Sequence, residues 1–239
     1  MNAYKGQDDV FFKEEGDRWF ARNNSGLAAA NEDDRVLAAL DGLLDPPPAS
    51  ILEVGAANGF RLASLQATFG ARCVAVEPSL SAIKQGQSTF PEVEFRRGLA
   101  SDIPLDDQEQ FNLVIVSFVL HWVDRSSIGM AIGSLDQCVQ DGGILVVSDF
   151  MPDQPTCNPY HHRDDDTMTF KQDYGACFTS LGTYAVVRKV LTEHGSSFDE
   201  ISESDRRVAT VVLRKDLRGL YLKGMGRTLS EDKEKRDIP

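Results

Sequence analysis

Small residues interrupt the chain directly after a short apolar run, where a tight turn could bring the backbone close to a ligand. The run is Ile51–Val54, which contains Glu53, and Gly55, Ala57 and Gly59 follow it at alternate positions. Side chains this small leave backbone N–H groups open to a bound molecule, and the start of a following helix adds a positive dipole end. The stretch therefore predicts a buried strand, a ligand-binding turn and a helix.

The spacing of these small residues distinguishes two kinds of nucleotide-binding turn. A dinucleotide fingerprint has its third glycine five positions after the first, and Phe60 stands at that position here. The small residues at 55, 57 and 59, directly after Glu53, instead resemble the first motif of the class I S-adenosylmethionine-dependent methyltransferases, acid-x-Gly-x-Gly-x-Gly, with Ala57 at the middle glycine. The resemblance implies cofactor contacts at Glu53, Gly55, Ala57 and Gly59.

Two later acidic residues also end or follow apolar runs. Glu77 ends the run Arg72–Glu77, where a carboxylate can accept hydrogen bonds from both hydroxyl groups of a ribose. We therefore expect the ribose at Glu77 and Pro78. In the family that the turn resembles, an Asp after the third strand faces the adenine and an apolar neighbour covers the ring, which implies those roles for Asp102 and Ile103. A helix-start carboxylate and ordinary loop chemistry are the alternatives.

A long apolar run, Phe111–Leu120, is typical of a central parallel strand that is covered on both faces. Ser117 and Phe118 fall at the carboxyl edge of the sheet, where we expect them to contact the cofactor. His121 follows, and histidine is the side chain whose unperturbed pKa lies closest to neutral, as a general base for a hydroxyl acceptor requires. The alternative is that His121 and Trp122 only wall the cofactor pocket.

The segment 151–178, between the fifth strand and the next helix, is unusually long for a loop in a compact domain. In the family that the chain resembles, insertions at this point commonly build the acceptor pocket. His161 and His162 are therefore further candidates for the base, with an exposed polar loop as the alternative. The acidic residues that follow them have metal-ligand chemistry, but adjacent residues rarely converge on one ion, so we expect no metal. The expected substrate contacts are Trp122, Tyr160 and Tyr174.

Residues 1–48 are expected to form a helical arm ahead of the first strand. In the family that the chain resembles, this arm often closes over the cofactor, so Trp19, Arg22 and Asn23 are candidates to contact its methionine end. The alternative is an arm that only packs its aromatic side chains on the domain. We expect the cofactor-binding domain to span 49–215 and the charged residues 216–239 to form a loose tail.

Strands that alternate with helices predict a parallel sheet whose ligand crevice lies at the carboxyl ends of the strands. We predict an α/β, Rossmann-like fold with a seven-stranded, mostly parallel sheet that is flanked by helices and has an antiparallel last strand. A helix is expected from Thr179 to His194, with His194 in a structural role at its end. Phe198–Ser202 and Val208–Leu213 are expected to form the closing antiparallel pair.

The 239-residue chain has a formal net charge of -12. This charge disfavours a nucleic-acid partner, because proteins that bind a phosphate backbone gather Lys and Arg on one face. The chain shows no signal-peptide pattern and no apolar run of about 20 residues, so we expect a cytoplasmic protein without membrane contact.

Together these features predict a methyltransferase that uses S-adenosylmethionine to methylate a small polar acceptor, such as a sugar, a nucleotide sugar or a secondary metabolite. The first alternative is an NAD(P)-linked oxidoreductase, which shares the fold logic and the ribose-binding acid. The second is a catalytically silent S-adenosylmethionine-binding or assembly protein, because binding and methyl transfer need different residues. The pattern does not select oxygen, nitrogen or carbon as the methylated atom.

Overall fold

A seven-stranded sheet forms the centre of the structure, a computed structural model that describes residues 6–27, 34–106, 109–194 and 204–220. The strands are β1 (Ser50–Val54), β2 (Arg72–Glu77), β3 (Glu94–Arg97), β4 (Phe111–Ser117), β5 (Val139–Phe150), β6 (Thr156–Pro159), β7 (Met168–Lys171), β8 (Tyr184–Glu193) and β9 (Arg207–Lys215). The sheet has the order β3-β2-β1-β4-β5-β9-β8, and β6 pairs with β7 in a separate hairpin. The first five strands of this order pair in parallel, whereas β9 is antiparallel to both neighbours. The predicted sheet, with its antiparallel last strand, is confirmed.

Helices of the described chain flank this sheet. They are α1 (Gly6–Val10), α2 (Gly16–Asn23), α3 (Arg35–Leu40), α4 (Phe60–Phe69), α5 (Leu80–Thr89), α6 (Ile128–Cys138) and α7 (Tyr174–Thr179), with a π-helical turn at Phe11–Glu15 between the first two. The start of α5 is fixed by a side-chain cap, because Ser79 Oγ accepts a hydrogen bond from the Ala82 N–H at 3.0 Å. Among the described residues, none of the helices combines the length and apolar character needed to cross a bilayer.

The central strand β4 shows why the sheet is apolar throughout. Val114 and Val116 pack into one buried cluster, whereas Leu113 and Ile115 pack into a second cluster. Alternate residues of a strand point to opposite faces, so a strand that is covered on both faces needs apolar residues at every position. The two apolar clusters thus cover both faces of the sheet, and the turns that follow the parallel strands lie together at its carboxyl edge.

The region after α7 is a strand, so the predicted helix from Thr179 to His194 is wrong. β8 pairs with β9 along its whole length and forms the edge of the sheet. Because one side of an edge strand faces solvent, Val186, Val187 and Leu191 stay exposed. The helix was predicted from the spacing of Leu181, Tyr184, Val187 and Leu191, but the β-branched valines favour the extended conformation that the chain adopts.

The closing antiparallel pair forms with a different partner from the one predicted. β9 contains the predicted strand Val208–Leu213, and β8 lies beside it. The predicted partner, Phe198–Ser202, lies outside the described residues. The segment 151–178 is not an irregular loop throughout, because it contains the β6–β7 hairpin and most of α7.

Candidate active site

A cavity of about 590 Å³ lies at the carboxyl edge of the sheet, within the range of about 300–1,000 Å³ that is usual for ligand pockets. Its wall includes the turn between β1 and α4, the end of β2, residues 98–101 and residues 117–119 and 121–123. The N-terminal arm and the β6–β7 hairpin complete the wall, with Trp19 and Tyr160 among their contributions. The cavity thus brings together strand ends that are far apart in the sequence.

The turn after β1 has a backbone that only small residues adopt easily. Gly55 has a φ of +75° and Ala57 a φ of +50°, both in the left-handed region, and both residues line the cavity. A Cβ atom on Gly55 would lie 2.2 Å from Val119 Cγ2. Gly59 is not on the cavity wall: a Cβ atom there would meet Phe95 Cζ at 2.7 Å. Gly59 thus packs between α4 and β3, and its contact with the cofactor stays a prediction.

Glu77 lies at the end of β2 with both carboxylate oxygens engaged by the backbone. One oxygen accepts a hydrogen bond from the Ala57 N–H and the other from the Ser79 N–H, each at 2.9 Å. The side chain lines the cavity beside Pro78, but the residue is only 7% exposed. Burial raises the pKa of Glu77 to about 7, against the opposing effect of the two N–H donors. Each oxygen keeps a further lone pair for a hydroxyl donor.

Glu53 lies below the same turn and leaves one oxygen without a partner. Arg61, from α4, donates to Glu53 Oε1 and also binds Asp34 Oδ2 at 2.9 Å. Glu53 Oε2 is buried and has no hydrogen-bond partner among the described residues. Burial raises the pKa of Glu53 to about 7, although the adjacent Arg61 opposes the shift. An unpartnered carboxylate oxygen beside a cavity is suited to a cationic or N–H donor of a ligand.

The segment after β3 presents different residues from those predicted. Residues 98–101 line the cavity, whereas Asp102 is exposed and Ile103 packs against an apolar core cluster. The cause is a tight turn in which the Leu99 and Asp102 backbones pair with each other, at 3.1 and 3.3 Å. The wall at this point comprises Gly98, Leu99, Ala100 and Ser101, and the adenine contacts of Asp102 and Ile103 stay a prediction.

His121 follows β4 and is buried against Asp149, from the end of β5. The Nδ1 atom of His121 lies 2.8 Å from Asp149 Oδ1, within ion-pair distance although the angle of a hydrogen bond is not met. The His121 backbone N–H donates to the other Asp149 oxygen at 3.3 Å. Because Nδ1 faces the carboxylate and the ring lines the cavity, Nε2 is the nitrogen left for a ligand.

His161 and His162 lie at the exposed part of the cavity wall, in the hairpin connection. Their ring centroids are 3.9 Å apart, and each also contacts Tyr160. Desolvation and the adjacent His161 lower the pKa of His162. Within the part of the chain that the structure describes, no three His, Cys, Asp or Glu side chains are grouped as metal ligands. The acidic run beside these histidines instead provides Asp165 as an ion-pair partner of Arg163, at 2.6 Å.

The arm contributes Trp19 and Asn23 to the wall, but not Arg22. Arg22 donates to Glu15 Oε1 at 2.5 Å and to the Tyr160 hydroxyl at 2.6 Å. Arg22 thus bridges the arm and the β6–β7 hairpin, and its contact with the cofactor stays a prediction. Tyr160 itself lines the cavity, and burial raises the pKa of its hydroxyl to about 12.

Among the remaining predicted residues, the structure places Ser117, Phe118 and Trp122 on the cavity wall. Tyr174 is not there: it is buried in the apolar core at the start of α7. Its hydroxyl donates to the Phe170 carbonyl at 2.5 Å, so the structure does not bring Tyr174 to the cavity with the other predicted substrate contacts.

Several lining residues were not predicted from the sequence. They include Asp8, Phe11, Arg61, Lys171 and His194. His194 was assigned a structural role because the preceding segment was taken as a helix; as the end of an edge strand it lies against Phe118 and Phe150, at 5.5 and 5.2 Å between ring centroids. Burial, followed by the nearby positive charge of Arg35, lowers the pKa of His194. Phe150, at the end of the fifth strand, also lines the cavity, at the sheet edge where ligands of such folds bind.

Comparison with known families matches residues 26–204 to the methyltransferase domain. An uncharacterized methyltransferase of Synechocystis sp. is 26% identical over 165 residues, which cover 66% of this chain and 76% of that protein.

Solved structures share the fold. The Burkholderia thailandensis 1,6-didemethyltoxoflavin-N1-methyltransferase, with bound 1,6-didemethyltoxoflavin and S-adenosylhomocysteine, aligns with a TM-score of 0.64 and 15% identity, over 90% of this chain and 93% of that chain. The N-methyltransferase NodS of Bradyrhizobium japonicum, in complex with S-adenosylhomocysteine, aligns with a TM-score of 0.59 and 18% identity, over 84% of this chain and 99% of that chain. With the family match spanning about three quarters of its length, the chain belongs to the methyltransferase domain family and is a class I S-adenosylmethionine-dependent methyltransferase.

Proposed function

We propose that the cavity holds S-adenosylmethionine over the turn at Gly55 and Ala57, and that it presents the methyl group to a small polar acceptor such as a sugar, a nucleotide sugar or a secondary metabolite. The observation that carries the proposal is the convergence of two buried carboxylates, Glu53 and Glu77, with this turn on one cavity. The family uses this cofactor, and the proposal assigns its parts to residues of this chain.

The residues fit the cofactor at three points. Glu77 retains acceptor capacity for two ribose hydroxyls, since each oxygen binds only one backbone N–H. The unpartnered Oε2 of Glu53 fits the ammonium group of the methionine part. Gly55 lines the cavity without a side chain, so its backbone is open to close approach by the cofactor.

When bound, S-adenosylmethionine supplies an electrophilic methyl group: the acceptor atom bonds to the methyl carbon while the carbon–sulfur bond breaks and leaves its electron pair on sulfur. The protein's part is to align the two groups, an effect that reaches about 7–11 kcal/mol in favourable intramolecular reactions. His121 is the proposed general base, and Asp149 the residue that positions its ring. A buried carboxylate beside Nδ1 favours a proton on that nitrogen, which leaves Nε2 to accept the proton of the acceptor.

The acceptor end of the cavity is formed by the arm and the β6–β7 hairpin. Trp19 of the arm and Tyr160 of the hairpin line it, and the bridge from Arg22 to Tyr160 joins the two. This enclosure supports a small acceptor, and the net charge of -12 supports one that is not a nucleic acid.

Calorimetric titration of the protein with S-adenosylmethionine and S-adenosylhomocysteine tests the cofactor site. We expect saturable binding of both and a loss of about 10- to 100-fold in affinity in Glu77→Ala, the range for losing charge-assisted hydrogen bonds. Glu94→Ala is the matched control, because that carboxylate is exposed, pairs with Arg72 and lies off the cavity. Absence of binding to the folded protein would overturn the proposal.

A further inference from the structure

We propose that the acceptor is a planar aromatic or heteroaromatic ring that carries a hydroxyl group. This inference rests on the proposed function and narrows its substrate class. It starts from an aromatic wall, defined as the rings that line the cavity from the ends of β4, β5, β6 and β8. The aromatic wall comprises Phe118, His121, Trp122, Phe150, Tyr160 and His194.

The rings of the aromatic wall form one continuous set of contacts. Trp122 lies 4.4 Å from Tyr160 and 4.6 Å from His121 between ring centroids. His121 continues to Phe150 at 5.1 Å, and Phe150 to His194 at 5.2 Å. These distances lie within the range of about 4.5–7 Å for interacting rings, or just below it. The wall is therefore a connected surface.

The geometry of these contacts suits a flat guest. Phe150 meets both His121 and Phe118 edge to face, at interplanar angles of 90° and 69°. Rings set at right angles to one another present a face on one side and an edge on the next. A planar ring that lies against them from the cavity can stack on one partner and meet the edge of another, which are the two favoured aromatic arrangements.

The aromatic wall differs from the aromatic residues that serve the core. Phe111 and Phe178 are fully buried in an apolar cluster and do not line the cavity. The six rings of the wall instead border open space of about 590 Å³ that they share with the cofactor turn. Apolar rings that border an open cavity favour ligand binding, because a bound ligand removes their surface from water.

Fixed cations at this end argue against a cationic acceptor, although aromatic cages can bind ammonium groups. Lys171 Nζ lies 4.3 Å from the centre of the Phe150 ring and lines the cavity. The Arg35 guanidinium lies 5.7 Å from the Phe118 ring. Lys171 pairs with Asp205 at 2.8 Å, which holds the lysine ammonium group beside the Phe150 ring. Because these cations already occupy the faces of the Phe150 and Phe118 rings that an ammonium group would use, a neutral guest is favoured.

The hydroxyl is inferred from the base that borders the wall. His121 belongs to the aromatic wall and is set against Asp149, so a ring stacked there can place a substituent beside Nε2. An aromatic hydroxyl has a proton that imidazole can accept at neutral pH, as its oxygen takes the methyl group. Flat shape, absence of positive charge and a removable proton together describe a phenol-like acceptor.

Calorimetry and proton NMR with matched probes test the inference. The probes are 2-naphthol, its saturated counterpart trans-2-decalol, the cationic 2-naphthylmethylamine and methyl β-D-glucoside. We expect 2-naphthol to bind at least about tenfold more tightly than each of the other three, since only it combines ring faces with a neutral hydroxyl. Its ring protons should shift upfield on binding, as stacking on aromatic faces requires.

Variants show whether the wall is the binding surface. Phe150→Leu and Trp122→Leu should each weaken 2-naphthol about tenfold and leave S-adenosylhomocysteine affinity within twofold, which also shows that they are folded. Phe90→Leu is the matched control, because that ring packs in a core cluster away from the cavity. Equal binding of trans-2-decalol, the glucoside or the amine would overturn the inference, as would failure of 2-naphthol to bind.

The titrations are run with and without S-adenosylhomocysteine, which separates the two proposals. A protein that binds S-adenosylhomocysteine but not 2-naphthol would retain the proposed function and lose this inference. A folded protein that binds no S-adenosylhomocysteine would lose the proposed function, and the probe series alone would then decide whether the wall selects a planar ring.

Discussion

At the scale of single residues, the two buried carboxylates of the cavity have surroundings that favour their protonated forms. Glu53 has an arginine partner on one oxygen only, and Glu77 has backbone donors but no cation. Burial raises the pKa of each to about 7. Both groups therefore change charge near neutral pH, in a position where a ligand could supply the missing donors.

The raised pKa of Glu77 predicts a pH-dependent stability of the ligand-free protein. The folded protein holds this proton up to about pH 7, whereas the unfolded chain releases it near the ordinary value of 4.5. The free energy of unfolding should therefore fall as pH rises from about 4.5 through about 7. Glu77→Gln should flatten part of this decline in thermal unfolding measured between pH 5 and 8. An unchanged slope in that variant, with Glu94→Gln as control, would contradict the prediction.

The three candidate bases can be separated by substitution. His121→Gln should lower the rate of methyl transfer about 10²- to 10⁴-fold, the usual contribution of a general base, while S-adenosylhomocysteine affinity stays within twofold. His161→Gln and His162→Gln should cost much less, because both side chains are exposed at the rim. The assay is turnover with 2-naphthol or any other acceptor that is methylated. A larger loss in either rim variant would reassign the base.

The two acidic residues and the turn could be predicted from the sequence, because each lies at or near the end of an apolar run. Glu53, Gly55 and Glu77 lie on the cavity as expected. Arg61 could not be assigned, since its pairing with Glu53 depends on how α4 lies over β1. His194 could not be assigned either, because its place depends on the strand pairing that the spacing misrepresented.

At the scale of elements, the turn between β1 and α4 shows how backbone conformation and packing combine. Gly55, directly after β1, and Gly70, directly after α4, both have positive φ, +75° and +66°. Only Gly55 faces a neighbour, because a Cβ at Gly70 would have nothing within 4 Å. Substitutions at the two glycines therefore separate the free-energy cost of a left-handed backbone from the cost of steric overlap with a neighbour.

Gly70→Ala should destabilise the protein by about 1–2 kcal/mol, the cost of a left-handed alanine. Gly55→Ala should cost a further 1–3 kcal/mol or so from overlap with Val119 and should also weaken S-adenosylhomocysteine binding. Chemical denaturation and calorimetry measure the two effects. Equal losses of stability in the two variants, with unaltered binding, would show that the turn is less crowded than its geometry indicates.

The order of elements was predictable up to β5, because buried parallel strands read as apolar runs that alternate with helices. Beyond β5, the edge strand β8 has exposed valines, so its apolar residues do not form the pattern of a buried strand. Its identity is decided by pairing with β9, a contact that local spacing cannot report. The fold class was thus predictable from the sequence, whereas the position of β8 in the sheet was not.

At the scale of the whole molecule, the cavity depends on parts that lie outside the seven-stranded sheet. The arm ahead of α3 supplies Asp8, Phe11, Gly16, Trp19 and Asn23 to the wall, and all five precede the region matched to the family. Asp8 also accepts hydrogen bonds from Ser101 and Ser127, at 2.7 and 2.5 Å, which attach the arm to the domain. The wall of the cavity is therefore formed in part by an arm that precedes the region matched to the family.

Glu15 should hold these two parts together. Its side chain is 0% exposed and pairs with Arg22 at 2.5 Å and Arg163 at 3.2 Å. Glu15→Ala should destabilise the protein by about 1–3 kcal/mol, because two charged donors lose a partner, and should speed proteolysis of the arm. Glu14→Ala, whose side chain is 47% exposed and pairs with Arg18 and Arg163, should cost less than about 1 kcal/mol. Similar losses in both would show that the bridge contributes little.

The two tryptophans of the chain, Trp19 and Trp122, both line the cavity, one from the arm and one from the end of β4. Every indole in the molecule therefore borders the space where ligands are proposed to bind. Light absorbed at the red edge of the protein spectrum excites these two rings selectively, so the intrinsic emission of the unlabelled protein is an optical record of its cavity. Trp19→Phe divides that record, leaving the emission of Trp122 to report the β4 side of the wall alone.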